Sequence, residues 1–219
     1  VLALNVAVVV GLIVLTLVFG RVYCSIICPM GVMQDVISWF SSKRKGKKTR
    51  FGYSKGKNIF RVIVLVVFVI AMTLGVGAIG SLVDPYSAYG RIASNLFAPI
   101  YYWCNNILAY FAERADSYAF YSVDVYVKSV TTFFVAIVTF VVIAVLAWKN
   151  GRTYCNTICP VGTILGAISK YSLLKPVIDK SKCMGCKMCE RTCKSSCINV
   201  DNKSIDYTRC VACMNCIES

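Results

Sequence analysis

The stretch CMGCKMCERTC, residues 183–193, decides how the C-terminal part of this chain folds. Its cysteines follow the spacing Cys-x2-Cys-x2-Cys-x3-Cys, and the first three positions return in CVACMNC, residues 210–216. A short loop of this kind presents three thiolates to different metal atoms of one compact cluster, and a fourth thiolate comes from elsewhere in the chain. The two runs therefore predict two clusters held by one small domain.

The spacing is that of the bacterial two-cluster run, in which the fourth cysteine ligates the other 4Fe-4S cluster. Cys193 then completes the second run. The first run needs a cysteine one residue past Ser219, or Cys197 in its place, and core packing is the alternative role of Cys197. The candidate ligands are Cys183, Cys186, Cys189, Cys193, Cys197, Cys210, Cys213 and Cys216. Zinc is a poorer interpretation, because the third cysteine recurs at the same spacing in both runs.

The chain as a whole is too apolar for a soluble domain of 219 residues, since 58% of the residues are hydrophobic and the mean hydropathy is +0.66. Three apolar runs reach the roughly 20 residues that a helix needs to cross a bilayer. They are Val1 to Phe19, Val62 to Leu82 and Val130 to Trp148. These runs predict a membrane protein with several spans.

The net charge of +14 is concentrated in two places. One is the loop after the first run, with Lys43, Arg44, Lys45, Lys47, Lys48, Arg50, Lys55 and Lys57, and the other follows the third run, with Lys170, Lys175, Lys180 and Lys182. By the positive-inside rule both places are cytoplasmic. We interpret the charge as a topology marker that contacts anionic lipid, rather than as a nucleic-acid surface.

Successive spans cross the membrane in alternating directions, which gives the topology. The first span would end in the cytoplasm, the second would run outward and the third would return to the cytoplasm. The start of the chain would lie outside, so we expect a fragment of a four-span protein that lacks sequence at both ends. The expected divisions are a transmembrane helix at 1–20, a cytoplasmic motif and basic loop at 21–58, a transmembrane helix at 59–83, an extracytoplasmic aromatic-rich segment of short helices at 84–127, a transmembrane helix at 128–148, a second cytoplasmic motif at 149–176 and a truncated ferredoxin-type domain at 177–219.

The predicted fold class is mainly α. It is a polytopic α-helical membrane protein, with three spans visible, that carries a C-terminal α+β domain like a bacterial ferredoxin with two 4Fe-4S clusters.

A second cysteine pattern repeats beside the apolar runs, in RVYCSIICPMG at residues 21–31 and RTYCNTICPVG at residues 152–162. Proline suits the first turn of a helix, so the second cysteine of each Cys-x3-Cys-Pro-x-Gly motif is expected to cap a helix, whose positive end would lower the thiol pKa. We expect the four cysteines to meet at the cytoplasmic boundary as thiol pairs or as ligands of a further metal or cluster. Simple packing is the alternative. The cysteines are Cys24, Cys28, Cys155 and Cys159.

Other features limit the chemistry. Arg21 and Arg152 precede the motifs, and are expected either to stabilise thiolate charge or to anchor the chain at the membrane interface. The sequence has no histidine, which excludes haem with a histidine ligand and a histidine proton acceptor for quinol. It also has no phosphate-binding glycine loop and no dinucleotide fingerprint, so the chain is not expected to reduce a nucleotide.

With two such motifs followed by a twin-cluster domain, the chain resembles the NapH and NosR group of membrane ferredoxins, to which CcoG is also related. The resemblance covers nearly the whole chain. It implies a prokaryotic inner (cytoplasmic) membrane protein that passes electrons from the quinol pool to a respiratory reductase or a partner ferredoxin or cytochrome. Such a chain would be an electron-transfer subunit of a quinol-oxidising complex rather than a stand-alone enzyme. Its expected partners are membrane lipid, quinol or quinone, and other redox proteins.

Two other function classes stay open. In the first, resembling CcoG, the four repeat cysteines bind or reduce a metal such as copper during assembly of another protein, and the ferredoxin domain supplies electrons. In the second, resembling NosR, the chain is a membrane anchor, redox regulator or electron donor.

Overall fold

The computed structural model describes residues 2–45, 51–56, 58–114, 120–125 and 129–217. Its helices are α1 (Leu2–Phe19), α2 (Pro29–Lys45), α3 (Asn58–Thr73), α4 (Gly77–Val83), α5 (Pro85–Ile92), α6 (Ala98–Arg114), α7 (Val130–Asn150), α8 (Thr153–Thr157), α9 (Pro160–Ser169) and α10 (Met188–Thr192). Two π-helical turns, Tyr23–Ile27 and Ala93–Phe97, and two strands, β1 (Ile198–Asn199) and β2 (Ser204–Ile205), complete the described elements. The predicted mainly helical fold is confirmed.

The chain divides into two compact units, Val1–Pro85 with Ile143–Ser219, and Tyr86–Val142. The first unit carries both Cys-x3-Cys-Pro-x-Gly motifs, at residues 21–31 and 152–162, which are called the cysteine-proline motifs below. It also carries the C-terminal cysteine runs. In the second unit, the aromatic-rich segment forms α5 and α6, as predicted for short helices. The amide of Asn106 also accepts from and donates to the backbone of Val123, at 2.8 Å in each direction.

The apolar runs form helices whose bounds differ in one place from the prediction. The first and third runs correspond to α1 and α7, but the prediction of one helix from Val62 to Leu82 is wrong. The helix α3 ends at Thr73, because Gly75 adopts a φ of +75° and breaks the helical path before α4 begins. Within the described ranges, Val130–Lys149 is long and apolar enough to cross a membrane, judged by length and composition. Lys47, Lys48, Arg50 and Lys57 of the basic loop lie outside the described residues.

The two cysteine-proline motifs are built on the same backbone path. The helices α1 and α7 are each followed by a glycine with positive φ, Gly20 at +71° and Gly151 at +67°, which turns the chain sharply. After one further turn, Cys28 and Cys159 are extended, and the proline that follows each of them begins α2 or α9. The helix α9 then packs against α1 and α3.

The part of the chain after α9, called the C-terminal lobe below, contains α10, β1 and β2 and is a small α+β unit, as predicted. The strands β1 and β2 pair antiparallel with Ile198 opposite Ile205. A buried cluster of Cys193, Cys197, Ile198 and Val200 forms its core. Cysteines of both runs pack against this cluster, namely Cys183, Cys189, Cys210 and Cys216.

Candidate metal centre

Two buried arginines tie the cysteine-proline motifs to each other. Arg21 of the first motif donates from Nη2 to the carbonyl of Cys155 at 3.2 Å, and Arg152 of the second donates from Nη1 to the carbonyl of Cys24 at 2.8 Å. Their exposed fractions are 0% and 1%, so the alternative that they anchor the chain at an exposed interface is wrong. The reciprocal bonds hold the first cysteine of each motif against the arginine of the other.

All four motif cysteines are buried, with exposed fractions between 3% and 6%. Cys24 and Cys28 are close enough to Cys155 for their charges to raise its pKa, and Cys24 and Cys155 act on Cys159 in the same way. Gln34, fully buried on α2, donates from Nε2 to Sγ of Cys155 at 3.1 Å. The structure therefore brings the four predicted thiols into one neighbourhood.

The expected lowering of the thiol pKa at the helix starts is wrong. Burial raises the pKa of Cys155 to about 12 and also raises the pKa of Cys28 and Cys159. The predicted cap itself is confirmed, because the amide of Gly162 donates to Sγ of Cys159 at 3.3 Å. That single hydrogen bond opposes, but does not outweigh, desolvation and the repulsion between neighbouring thiolates.

Asp35 is a charged residue of this site that the sequence patterns did not predict. Arg152 donates two hydrogen bonds to its carboxylate, from Nε to Oδ1 at 2.9 Å and from Nη2 to Oδ2 at 2.7 Å. Lys194 of the C-terminal lobe also donates to Oδ2, at 2.9 Å. Burial acts to raise the pKa of Asp35, but these cations lower it overall. Its signal in the sequence is that it is the only acidic residue before Asp84.

The glycine that closes each motif allows a close backbone approach. A Cβ on Gly31 would collide with the carbonyl oxygen of Cys24, and a Cβ on Gly162 would collide with that of Cys155. Both glycines therefore let the helix after the motif pack directly on the first cysteine.

We expect Gly162→Ala to destabilise the first unit by about 2 kcal/mol, because the new methyl group meets backbone that cannot move freely. The measurement is the Tm of the purified chain in detergent. Gly90→Ala is the matched control, because a Cβ there meets nothing within 4 Å. Equal Tm values for the two variants would contradict this packing.

The two C-terminal cysteine runs also share one backbone conformation. Gly185 and Ala212, each just before the second cysteine of its run, have φ of +74° and +50°. Lys187 and Met214, each just after that cysteine, have φ of +60° and +57°. Left-handed non-glycine residues are strained and occur mainly where function requires them. Alternating conformations of this kind turn successive amides towards a common anion.

Five of the predicted ligands line one cavity, namely Cys193, Cys197, Cys210, Cys213 and Cys216. Four of them, Cys193, Cys210, Cys213 and Cys216, are the set predicted for the cluster of the second run. Cys193 is buried and the other three are half-buried, and such soft thiolate donors fit a 4Fe-4S cluster. The Sγ of Cys197 lies 3.5 Å from that of Cys193. The hydrogen bond between the two thiols lowers the pKa of Cys193.

The other cluster set is less enclosed. Cys186 is exposed, and Cys183 and Cys189 are half-buried. In the part of the chain that the structure describes, no three cysteine or carboxylate groups converge closely enough to hold a single metal ion. A cube-shaped cluster places its thiolates on separate irons, so it does not need the sulfurs to meet at one point.

The chain matches the family model of a 4Fe-4S binding domain twice, over residues 2–48 and 132–180. Each matched range contains one cysteine-proline motif, and the C-terminal runs lie beyond both. No solved structure shows significant similarity to the chain.

Among curated proteins, the chain is 23% identical over 215 residues to the putative electron transport protein YccM of Escherichia coli, covering 96% of this chain and 51% of that protein. It is 23% identical over 175 residues to the methylamine utilization ferredoxin-type protein MauN of Methylobacillus flagellatus, covering 80% and 48%. It is 22% identical over 208 residues to the ferredoxin-type protein NapH of Haemophilus influenzae, covering 91% and 59%. The chain thus spans about half the length of these relatives, and it is similar to ferredoxin-type electron transport proteins that include NapH and MauN.

Proposed function

We propose that this chain is a membrane-bound iron–sulfur protein that carries electrons from quinol to a redox partner. The names of its relatives support electron transfer, since one is a putative electron transport protein and the others are ferredoxin-type proteins. When bound, the two 4Fe-4S clusters would supply one-electron acceptors and donors. Cys193, Cys210, Cys213 and Cys216 would hold one cluster, and Cys183, Cys186 and Cys189 would provide three ligands of the other.

The helices support placement in a membrane. Residues such as Val9 on α1, Val66 on α3 and Val142 on α7 leave about half of their surface exposed. Apolar surface repeated along three helices would be costly in water and favourable in lipid. With the basic residues on the cytoplasmic side, both cysteine-proline motifs and the C-terminal lobe would face the cytoplasm.

The observation that carries the proposal is the direct contact between the second cysteine-proline motif and the C-terminal lobe. Asn156, next to Cys155, donates to the carbonyl of Ser195 at 3.4 Å, and the amide of Arg152 donates to the carbonyl of Lys194 at 3.1 Å. Residues 194 and 195 lie between Cys193 and Cys197 in the lobe. These contacts support a relay role, because they hold the motif that contains Cys155 and Cys159 against the lobe segment that follows Cys193.

A cavity of about 300 Å³ beside this contact is a suitable site for the quinol ring. Phe60, Leu146 and Ile158 form an apolar wall, and Ser195 and Arg209 bring polar groups from the lobe. The hydroxyl of Ser195 is buried without a hydrogen-bond partner among the described residues, so it is free to bind a quinol oxygen. Oxidation of quinol to quinone releases two electrons and two protons. No acidic residue stands among the described lining residues, so the protons would pass to water at the mouth of the cavity.

We expect Leu146→Trp to raise the quinol concentration needed for half-maximal cluster reduction by at least about tenfold, because the indole would fill the cavity and cost about 1.4 kcal/mol of binding. The measurement is stopped-flow bleaching of the cluster absorbance by a quinol analogue. Val145→Trp is the control, because Val145 is an exposed neighbour on the same helix and does not line the cavity. An equal effect of both variants would contradict this location.

The proposed function is tested on the full-length protein in lipid vesicles, by reduction with a quinol analogue followed by EPR. We expect cluster signals to appear with quinol, and to reach the intensity obtained with dithionite as the quinol to quinone ratio is raised. Signals that appear with dithionite but never with quinol would overturn quinol as the donor. The copper-assembly alternative gains no support from the geometry, because no three cysteine or carboxylate groups of the described residues converge closely enough to hold a single ion.

A further inference from the structure

Three buried arginines converge beside the second cysteine run. Arg21 donates from Nη1 and Arg61 from Nη2 to the same carbonyl, that of Thr208, each at 3.2 Å. Arg61 also donates to the hydroxyl of Thr208 at 3.3 Å, and Arg209 is the next residue in the chain. The exposed fractions of the three arginines are 0%, 5% and 6%. They come from three distant parts of the sequence.

The hydrogen-bond partners of this arginine group are almost all neutral. Arg209 donates to the carbonyl and hydroxyl of Ser54 and to the carbonyl of Ser195. The nearby carboxylate of Asp206 accepts from the amide and hydroxyl of Thr208. The Nε atoms of Arg21 and Arg61 are buried with no hydrogen-bond partner among the described residues. Three cations thus share one nearby carboxylate in a buried region, which is costly unless an anionic group lies beside them.

The cysteine thiolates of the second-run cluster site would supply the anionic group beside these arginines. Cys210 follows Arg209 directly, and the carbonyl that accepts from Arg209 belongs to Ser195, two residues after Cys193. Around the first run the situation differs, because Lys187 is 46% exposed and already paired with Asp201 at 3.0 Å. Buried positive charge is therefore concentrated at one of the two cluster sites.

We infer that Arg21, Arg61 and Arg209 raise the reduction potential of the cluster at Cys193, Cys210, Cys213 and Cys216 above that of the cluster at the first run. Reduction adds one electron and no proton to an already anionic group. Buried cations offset that added charge more strongly than exposed ones, because water screens the latter. The inference rests on the proposed function only in requiring that both clusters bind. A higher potential would make the second-run cluster, which is nearest the cysteine-proline motifs, the easier of the two clusters to reduce. This order suits a weak reductant such as quinol.

The test is a redox titration of both clusters by EPR, poised with dithionite and mediators so that quinol is not needed. Cys186→Ser assigns the signals, because it removes a ligand of the first-run cluster. We expect Arg61→Gln to lower the ratio of reduced to oxidised second-run cluster about tenfold at fixed potential, which is about 59 mV for a one-electron couple. Arg61→Lys keeps the positive charge, so its second-run cluster should retain most of the reduction potential of the unchanged protein.

Two comparisons separate this effect from general damage. The unshifted signal of the first-run cluster reports an intact fold in the same sample, and Arg209→Gln should shift the second-run cluster in the same direction. Lys187→Gln, beside the first run, should move neither potential appreciably. Equal shifts of both clusters, or none in either arginine variant, would overturn the inference even if quinol reduces the protein. A selective shift would uphold it even if quinol does not.

Discussion

Replacing Cys28 and Cys159 together with serine is expected to slow reduction of the clusters by quinol at least about 100-fold, while both clusters remain in place. The reason is that each residue supplies the second thiol of its motif, and both thiols are buried between the apolar helices and the C-terminal lobe. Serine keeps the size of the side chain but provides neither a redox-active sulfur nor a soft metal ligand. The measurement compares the rates of reduction by quinol and by dithionite.

Cys104→Ser is the control for this experiment. Cys104 is an exposed cysteine on α6, outside both motifs, so its replacement should leave both rates unchanged. If the double variant is reduced by quinol at the rate of the unchanged protein, the motif serves packing or metal assembly. Loss of the EPR signals themselves would instead mean that the motif thiols stabilise the clusters, and the proposed relay would be wrong.

The second large effect is expected at the lobe, where Cys213→Ser should remove one of the two cluster signals and about half of the bound iron. Cys213 lines the cavity with the other ligands of the second run, and a hydroxyl is a poor ligand for iron in this setting. The measurement is EPR of the dithionite-reduced protein together with iron and acid-labile sulfide analysis.

Cys197→Ala provides the matched comparison. Cys197 is 1% exposed and touches Cys193, but four other cysteines already line the same cavity. We therefore expect both signals to survive in the full-length protein, with some loss of stability from the small cavity created. Loss of either signal would assign Cys197 as a ligand instead, and would show that the cysteine expected past Ser219 is not used.

Features that depend on neighbouring residues could be predicted from the sequence. The spacing within each cysteine run predicted a small lobe with a repeated loop, because a run of three cysteines is one local loop. The prolines after Cys28 and Cys159 predicted the starts of α2 and α9, because the fixed φ of proline favours the first turn of a helix. The break at Gly75 was missed because the surrounding residues are apolar, and hydropathy does not register a single left-handed residue.

The environment of the site depended on tertiary structure. The bond from Arg152 to the carbonyl of Cys24 joins residues 128 positions apart, and Arg61 meets Thr208 across 147 positions. No local pattern encodes such pairs, because each forms only when separate helices and the lobe have packed. Packing also raised the pKa of Cys155 and Cys159, because the cost of burying a thiolate outweighed the stabilisation expected from a helix end. The sequence by itself determined which sulfurs form each local motif, and only the tertiary structure decided which charges and carbonyls surround them.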